Sequence, residues 1–297
     1  MGDVVVLAAI PSQLSNIRSS PDSLHPASSS FEIQFGPLLP VLPFSISEQY
    51  LFRPLSREDS NLIQSVYESS DDPDTLVARI GTDTVQLGSF LRLRDDKWLN
   101  DEIVNSYMTL LLLRDKEQCA RIGCRRSHFF KSFFVTKYFR LGYSGVKRWS
   151  RAVHGGDIFA LDKIIFPINL GGLHWVCVVA FMQKKVIEYH DSLASKKVNS
   201  QAEKYMKGIL FYFEMEHRRL KKRLMVNDHW TLVNRVDTPK QDNGNDCGIF
   251  TCLTAHFRSL DLQQNYSSND MPACRRQMGI SILKVSQISY SPSLSIF

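Results

Sequence analysis

The succession of hydrophobic patterns predicts an α+β domain. Helical periodicity comes first, strand-like runs fill the middle, and helical periodicity returns after about residue 199, an order that argues against an alternating βαβ sheet. Two apolar, β-branched runs, HWVCVVAFM and KVIEYHDS, are parted by little more than Gln183 and Lys184 and read as a hairpin. Further on, CGIFTCLTAHF carries apolar residues at 249, 250, 253 and 257, the spacing of a mostly buried helix starting at or near Cys247. No internal repeat is visible.

In chain order, the first 45 or so residues are rich in Ser and Pro (SNIRSSPDSLHPASSSF) without sustained period, so an arm over 1–48 is expected to be disordered. Order is expected from PLSREDSNLIQSVY. Ser56 with Glu58 and Asp59 marks a helix N-terminus, and Leu62, Ile63 and Val66 share one face. TLVARI then reads as a strand. WLNDEIVNSYMTLLLLRD is a better-marked helix: Asn100 or Asp101 can cap it, and Ile103, Val104, Tyr107, Met108, Leu111 and Leu112 recur at helical spacing. From Phe129 the chain reads as strand, first FFKSFFVTKYF, then DIFALDKIIFPINL, then the hairpin. A long helix from about Asn199 to Leu224 ends in the basic run HRRLKKR.

Composition narrows the class. The 297 residues are 43% hydrophobic and 22% charged, ordinary for a soluble globular protein with one sizeable domain. No apolar run approaches the ~18 residues that span a bilayer. MGDVVVLAAIPS has Asp3 where a signal peptide wants positive charge, and Val6 stands where a myristoylation motif wants Ser or Thr. The six cysteines, at 119, 124, 177, 247, 252 and 274, include no CxxC pair and are expected to be reduced thiols. Cys119, Cys124 and His128 lack a clear fourth ligand, so no metal site is assigned. A net charge of +6 favours an acidic partner surface without implying nucleic acid.

The candidate chemistry gathers around TPKQDNGNDCGIFTC. The first turn of a helix presents unpaired N–H groups and partial positive charge, a setting that favours a thiolate nucleophile. Cys247 stands there, after an NGND turn, with Gly248 keeping the approach to the sulfur uncrowded. A nucleophilic thiol needs a base, and the base an orienting group. His174 enters the first hairpin strand and Asp191 leaves the second, so register makes them neighbours, while alternation turns His190 to the other face. Gln241, upstream of the cysteine, can offer an amide N–H to an oxyanion. Taken singly, each has a plainer reading: a packed core thiol, a strand-end core histidine, a capping carboxylate, a solvated loop glutamine.

Taken together they resemble the SUMO-specific proteases, the branch of the cysteine proteases that processes ubiquitin-like proteins. The resemblance rests on the order His, Asp, Gln, Cys and on WLNDEIVNSYM (98–108), PINLGGLHWVCVVAF through YHDS (167–192) and QDNGNDCGIFTC (241–252). FFVTKYFRLGYSGVKRW and NDMPACRRQM are similar too, so coverage runs from about Pro54 to Lys284. It implies a papain-like cysteine protease fold: a central, mainly antiparallel or mixed sheet flanked by helices, with the nucleophile at a helix N-terminus. By residue, it implies His174 as general base, Asp191 as its orienter, Cys247 as nucleophile and Gln241 as oxyanion donor. Trp98 and Trp175 are implied as flat walls around the substrate's Gly-Gly tail.

The chain departs from the family in carrying EYHDS where YYDS is frequent, and in Asn245 where Ser or Tyr is frequent. The implied domains are the arm, a catalytic domain over 49–290 and a tail over 291–297. The implied activity is cleavage after the Gly-Gly of SUMO-type modifiers, in precursors and in lysine-linked conjugates. No cofactor, membrane or nucleic acid is implied, and a monomer is expected. Other readings are a protease for another ubiquitin-like modifier or ubiquitin, a YopJ-type acetyltransferase, or an inactive modifier-binding module. HRRLKKR (217–223) reads as a nuclear-import signal, as a contact for an acidic modifier or as a solvated helix end. Residence is expected in the nucleus, with the cytoplasm also open.

Overall fold

The computed structural model describes residues 51–123, 126–194, 199–225 and 229–290, the last four without their side chains. The expected arm over 1–48 and tail over 291–297 lie outside the described residues.

Helix α1 (Arg57–Tyr67) starts where the sequence marks it, with Ser56 Oγ accepting the Asp59 N–H at 3.0 Å. A small antiparallel hairpin follows, β1 (Leu76–Ile80) and β2 (Asp83–Gln86), and leads into the short helix α2 (Leu87–Phe90). Asn100 caps α3 (Asp101–Ile122) by accepting the Ile103 N–H, and Gly123, at φ 67°, closes it in the left-handed region.

The segment after Phe129 corrects the strand expectation. Only β3 (His128–Phe129) is strand there, and FFVTKYF begins α4 (Phe133–Val146), which kinks at Gly142. Its aromatic and β-branched residues suggested β structure, yet the buried ones, Phe134, Val135 and Tyr138, follow the i, i+1, i+4 spacing of a helix face. Likewise, the front of DIFALDKIIFPINL forms a 3₁₀ turn over Ile158–Ala160 before β4 (Lys163–Leu170) begins.

The expected hairpin is β5 (His174–Phe181) with β6 (Val186–His190), paired antiparallel from Phe181–Val186 to Cys177–His190. Helix α5 (Ser200–Lys221) follows, capped by Asn199. Strand β7 (Thr231–Asn234), α6 (Cys247–Ser259) and α7 (Met271–Tyr290) complete the described chain.

The five-stranded sheet has the order β3-β4-β5-β6-β7, parallel at both edges and antiparallel in the centre. Its pleat sorts side chains onto two buried faces. Trp175, Cys177, Val179 and Phe181 point to the core shared with α3, α6 and α7. Val176, Val178 and Ala180 point to the core shared with α4 and α5. A hairpin covered on both faces is rigid, and its open end carries His174 and Asp191.

Candidate active site

Cys247 is the first residue of α6 and is buried. No side chain caps that helix. Asp246, in the cap position, turns away to Arg275 and to Asn243, leaving the N–H groups of the first turn without a side-chain partner. The NGND turn is shaped by Asn243, whose Oδ1 accepts the N–H groups of Asn245 and Asp246 at 3.0 and 3.1 Å. Gly248 is required by packing more than by access: a Cβ there would lie 2.8 Å from Leu99 Cβ. The helix start is therefore pressed against the residue that follows Trp98.

His174 opens β5, and Asp191 follows the last residue of β6. His174 Nε2 lies 2.7 Å from Asp191 Oδ1, so the strand-register expectation places them correctly. Asp191 Oδ1 also accepts the Leu193 N–H at 2.8 Å, which fixes the carboxylate. With Nε2 so engaged, the nitrogen left for the Cys247 thiol is Nδ1, which is buried and has no hydrogen-bond partner among the described residues. Burial opposes the charged imidazolium, but the hydrogen bond to Asp191 and the charges of Asp191 and Cys247 outweigh it and push the His174 pKa up to about 9. Burial also acts against the Asp191 carboxylate, yet hydrogen bonds from His174 and the Leu193 N–H hold its pKa below the usual value. Carboxylate, imidazole and thiol thus stand in series, the arrangement that activates a sulfur nucleophile.

Gln241 is buried in the loop before α6, not solvated. Its backbone N–H donates to the Ser192 carbonyl at 3.2 Å. Its side-chain Oε1 accepts from Ser192 Oγ at 2.6 Å, and its Nε2 donates to the Asn243 carbonyl at 2.6 Å. Ser192 and Asn243 have no assigned role in the sequence reading, although both stand inside quoted motifs.

The two tryptophans are placed differently. Trp175 is packed into the core, and its indole N–H donates to the Leu99 carbonyl at 3.0 Å. Trp98, one residue before Leu99, keeps 42% of its surface exposed. Leu99 therefore links both rings to the start of α6.

His190 turns away from His174 as alternation requires. It is buried between Glu188 and Thr238, at 3.1 and 3.2 Å. Asn245 donates to Asp96 at 3.3 Å, away from the candidate catalytic side chains. Neither departure from the family pattern alters the Asp191–His174–Cys247 series.

Among the cysteines, 177, 247, 252 and 274 are free, whereas Cys119 is disulfide-bonded, against the expectation of six reduced thiols. Cys124 lies outside the described residues. Among the described residues no group of three or more His, Cys, Asp or Glu could hold a metal ion, and no helix is long and apolar enough to cross a membrane.

Comparison with known proteins agrees with this geometry. Residues 97–286 match the model of the Ulp1 protease family, C-terminal catalytic domain. A sentrin-specific protease of Caenorhabditis elegans is 35% identical over 181 residues, 61% of this chain, and sentrin-specific protease 2 of Mus musculus is 29% identical over 243 residues, 77% of it. The chain spans 24% of the length of the first and 39% of the second. A solved structure of the C-terminal Ulp1 protease domain in complex with Smt3, the yeast ortholog of SUMO, is similar at a TM-score of 0.67 and 27% identity. That match covers 79% of this chain and 97% of the other. The helices and mixed sheet are accordingly the papain-like cysteine protease arrangement, and the chain belongs to the Ulp1 protease family through that family's C-terminal catalytic domain.

Proposed function

We propose that this chain is a cysteine protease and isopeptidase that cleaves after the C-terminal Gly-Gly of a SUMO-type modifier. The observation that carries the proposal is His174 held by Asp191 at 2.7 Å and interacting with Cys247 at the uncapped start of α6. The choice of modifier follows the sentrin-specific relatives and the Ulp1 domain bound to Smt3.

In the proposed reaction the Cys247 sulfur, its proton taken by His174, forms a bond to the carbonyl carbon of the terminal glycine. The carbonyl π pair moves onto oxygen, where the Gln241 amide and the Cys247 backbone N–H stabilise it. Collapse of the intermediate breaks the C–N bond, and His174 returns its proton to the leaving amine. That amine is a lysine ε-nitrogen in a conjugate and a peptide nitrogen in a precursor. Water, deprotonated by His174, then attacks the thioester and releases the modifier acid and the thiol. Trp98 and Trp175 act as walls that admit glycine and exclude side chains. The reaction needs no cofactor, and a monomer suffices because every group named belongs to one chain.

The test is Cys247→Ser with a SUMO–lysine conjugate. Cleavage should be lost while binding of the conjugate stays close to wild type. Cleavage at the wild-type rate would return Cys247 to the role of a packed core thiol. A panel of activity probes ending in SUMO, ubiquitin and other modifiers identifies the substrate, and labelling by ubiquitin alone would replace the SUMO assignment.

We further propose residence in the nucleus, with cytoplasmic residence also open. Arg218, Lys222 and Arg223 of HRRLKKR are exposed, whereas Arg219 and Lys221 are engaged by Glu216 and Asp157. A fluorescent fusion with the three exposed residues changed to Ala should lose nuclear enrichment.

A further inference from the structure

An amide can stabilise an oxyanion through only one of its two ends. The side-chain oxygen and nitrogen of Gln241 are nearly equal in size, so shape does not decide which faces the reacting carbonyl; hydrogen bonds must. Two partners hold this amide. The Asn243 carbonyl can only accept, and it lies 2.6 Å from Nε2, so the nitrogen end is defined. The other end, Oε1, lies 2.6 Å from Ser192 Oγ, which must then donate. Nε2 carries two N–H groups, and one of them is used on Asn243, leaving the second for a developing negative charge. A flipped amide would set Oε1 against the Asn243 carbonyl, lone pair against lone pair.

The frame around these contacts is stiff. Ser192 and Gln241 are both buried, and the Ser192 carbonyl also accepts the Gln241 backbone N–H at 3.2 Å. Residue 192 therefore grips residue 241 by main chain and side chain together. Lys240 Nζ donates to the Asp191 carbonyl at 3.0 Å, bracing the same two segments a second time. Asn243 is itself held, its Nδ2 donating to Asp246 Oδ2 at 2.8 Å immediately before the nucleophile.

We propose that Ser192 is a positioning residue for oxyanion stabilisation: its hydroxyl, acting with the Asn243 carbonyl, locks the Gln241 amide with one N–H free for the oxyanion. Ser192 directly follows Asp191, so adjacent residues orient the general base and the oxyanion donor. Without the hydroxyl, Oε1 becomes a buried acceptor with no donor, and the amide can pivot about its single bond to Asn243. This inference rests on the reading of Gln241 as oxyanion donor.

The test compares wild type, Ser192→Ala, Gln241→Ala and the double variant in the full chain, with SUMO bearing a fluorogenic C-terminal amide. Gln241→Ala should lower kcat by ~10²–10³-fold, the loss typical of one oxyanion donor. Ser192→Ala should lower kcat by roughly tenfold or more, up to that limit, with KM unchanged. In the Gln241→Ala background the Ser192 change should cost nothing further, because no amide remains to position. Alkylation of Cys247 by iodoacetamide forms no oxyanion, so its rate should stay at wild type in Ser192→Ala. Ser192→Cys, which keeps a weaker donor, should have a kcat between those of wild type and Ser192→Ala, and a value no higher than that of Ala would argue against the hydrogen bond. Wild-type kcat in Ser192→Ala, an equal loss in the Gln241→Ala background, or slowed alkylation would each overturn the positioning role. Wild-type kcat in Gln241→Ala would instead overturn the oxyanion reading itself, and the role of Ser192 with it.

Discussion

His174 is where opposing forces meet most directly. Burial alone would keep its ring neutral, but Asp191 and Cys247 hold a proton on it up to about pH 9. The folded value lies above the ordinary one of 6.5, so the charged ring's contribution to stability is complete below about 6.5 and is lost as pH rises through about 9. In the proposed reaction the same proton is the one delivered to the leaving amine. The kcat/KM profile should therefore fall on the alkaline side with a midpoint near 9. Burial aside, the hydrogen bond to Asp191 is the foremost influence raising the value, so Asp191→Asn should lower turnover and move the alkaline limb to lower pH. Profiles of the two enzymes check this, and a limb that does not move would mean that Asp191 orients the ring without holding its proton. The nearness of His174 to Asp191 and the place of Cys247 at a helix start were legible in the sequence, because strand register and helical period fix them. Ser192 was not: a serine beside a carboxylate has no marked chemistry until Gln241 is folded back to 2.6 Å from it.

At the scale of elements, the hairpin and α6 were legible from period and turn alone, whereas α4 was misread and β7 and α7 were not foreseen. Strand β7 spans four residues, too few to show a period, and Phe133–Tyr138 mixes β-forming residue types with a helical face. Helix α7 matters most, because it carries Arg275. That guanidinium is almost wholly buried and donates to Asp246 Oδ1 at 2.6 Å and to the carbonyls of Arg92, Arg94 and Lys97 at 3.1, 2.9 and 2.9 Å. It ties the turn before Cys247 to the loop before Trp98, two segments about 150 residues apart in sequence. Nothing in CRRQM distinguishes such an arginine from a solvated one. Arg275→Met should leave Asp246 buried without its counter-charge and destabilise the fold by about 3–5 kcal/mol. Arg275→Lys should recover only part of this, since a single ammonium cannot span the same fork of acceptors. Denaturant midpoints measure both, and an unchanged midpoint in Arg275→Met would show that the loops hold without the clamp.

Over the whole molecule, the two cores leave the candidate site little slack. Trp175 is embedded in the core shared by the sheet with α3, α6 and α7, its indole is tied to the Leu99 carbonyl, and Leu99 fills the space beside Gly248. A Cβ at residue 248 would already lie 2.8 Å from Leu99, so the nucleophile helix and this wall cannot shift independently. A wall of that kind discriminates by shape. Replacing the penultimate glycine of the modifier tail with alanine should cost more than the ~1–3 kcal/mol of one methylene in a compliant pocket. Of the two proposed walls Trp98 is the one to remove, because the residue is 42% exposed and its truncation spares the core, whereas loss of Trp175 would open a cavity in it. Trp98→Ala should slow cleavage of the Gly-Gly tail and shrink the penalty against Ala-Gly. The measurement is the ratio of kcat/KM for the two tails in wild type and in Trp98→Ala. An equal ratio in both enzymes would remove Trp98 from the tail's path and leave selectivity to be set elsewhere.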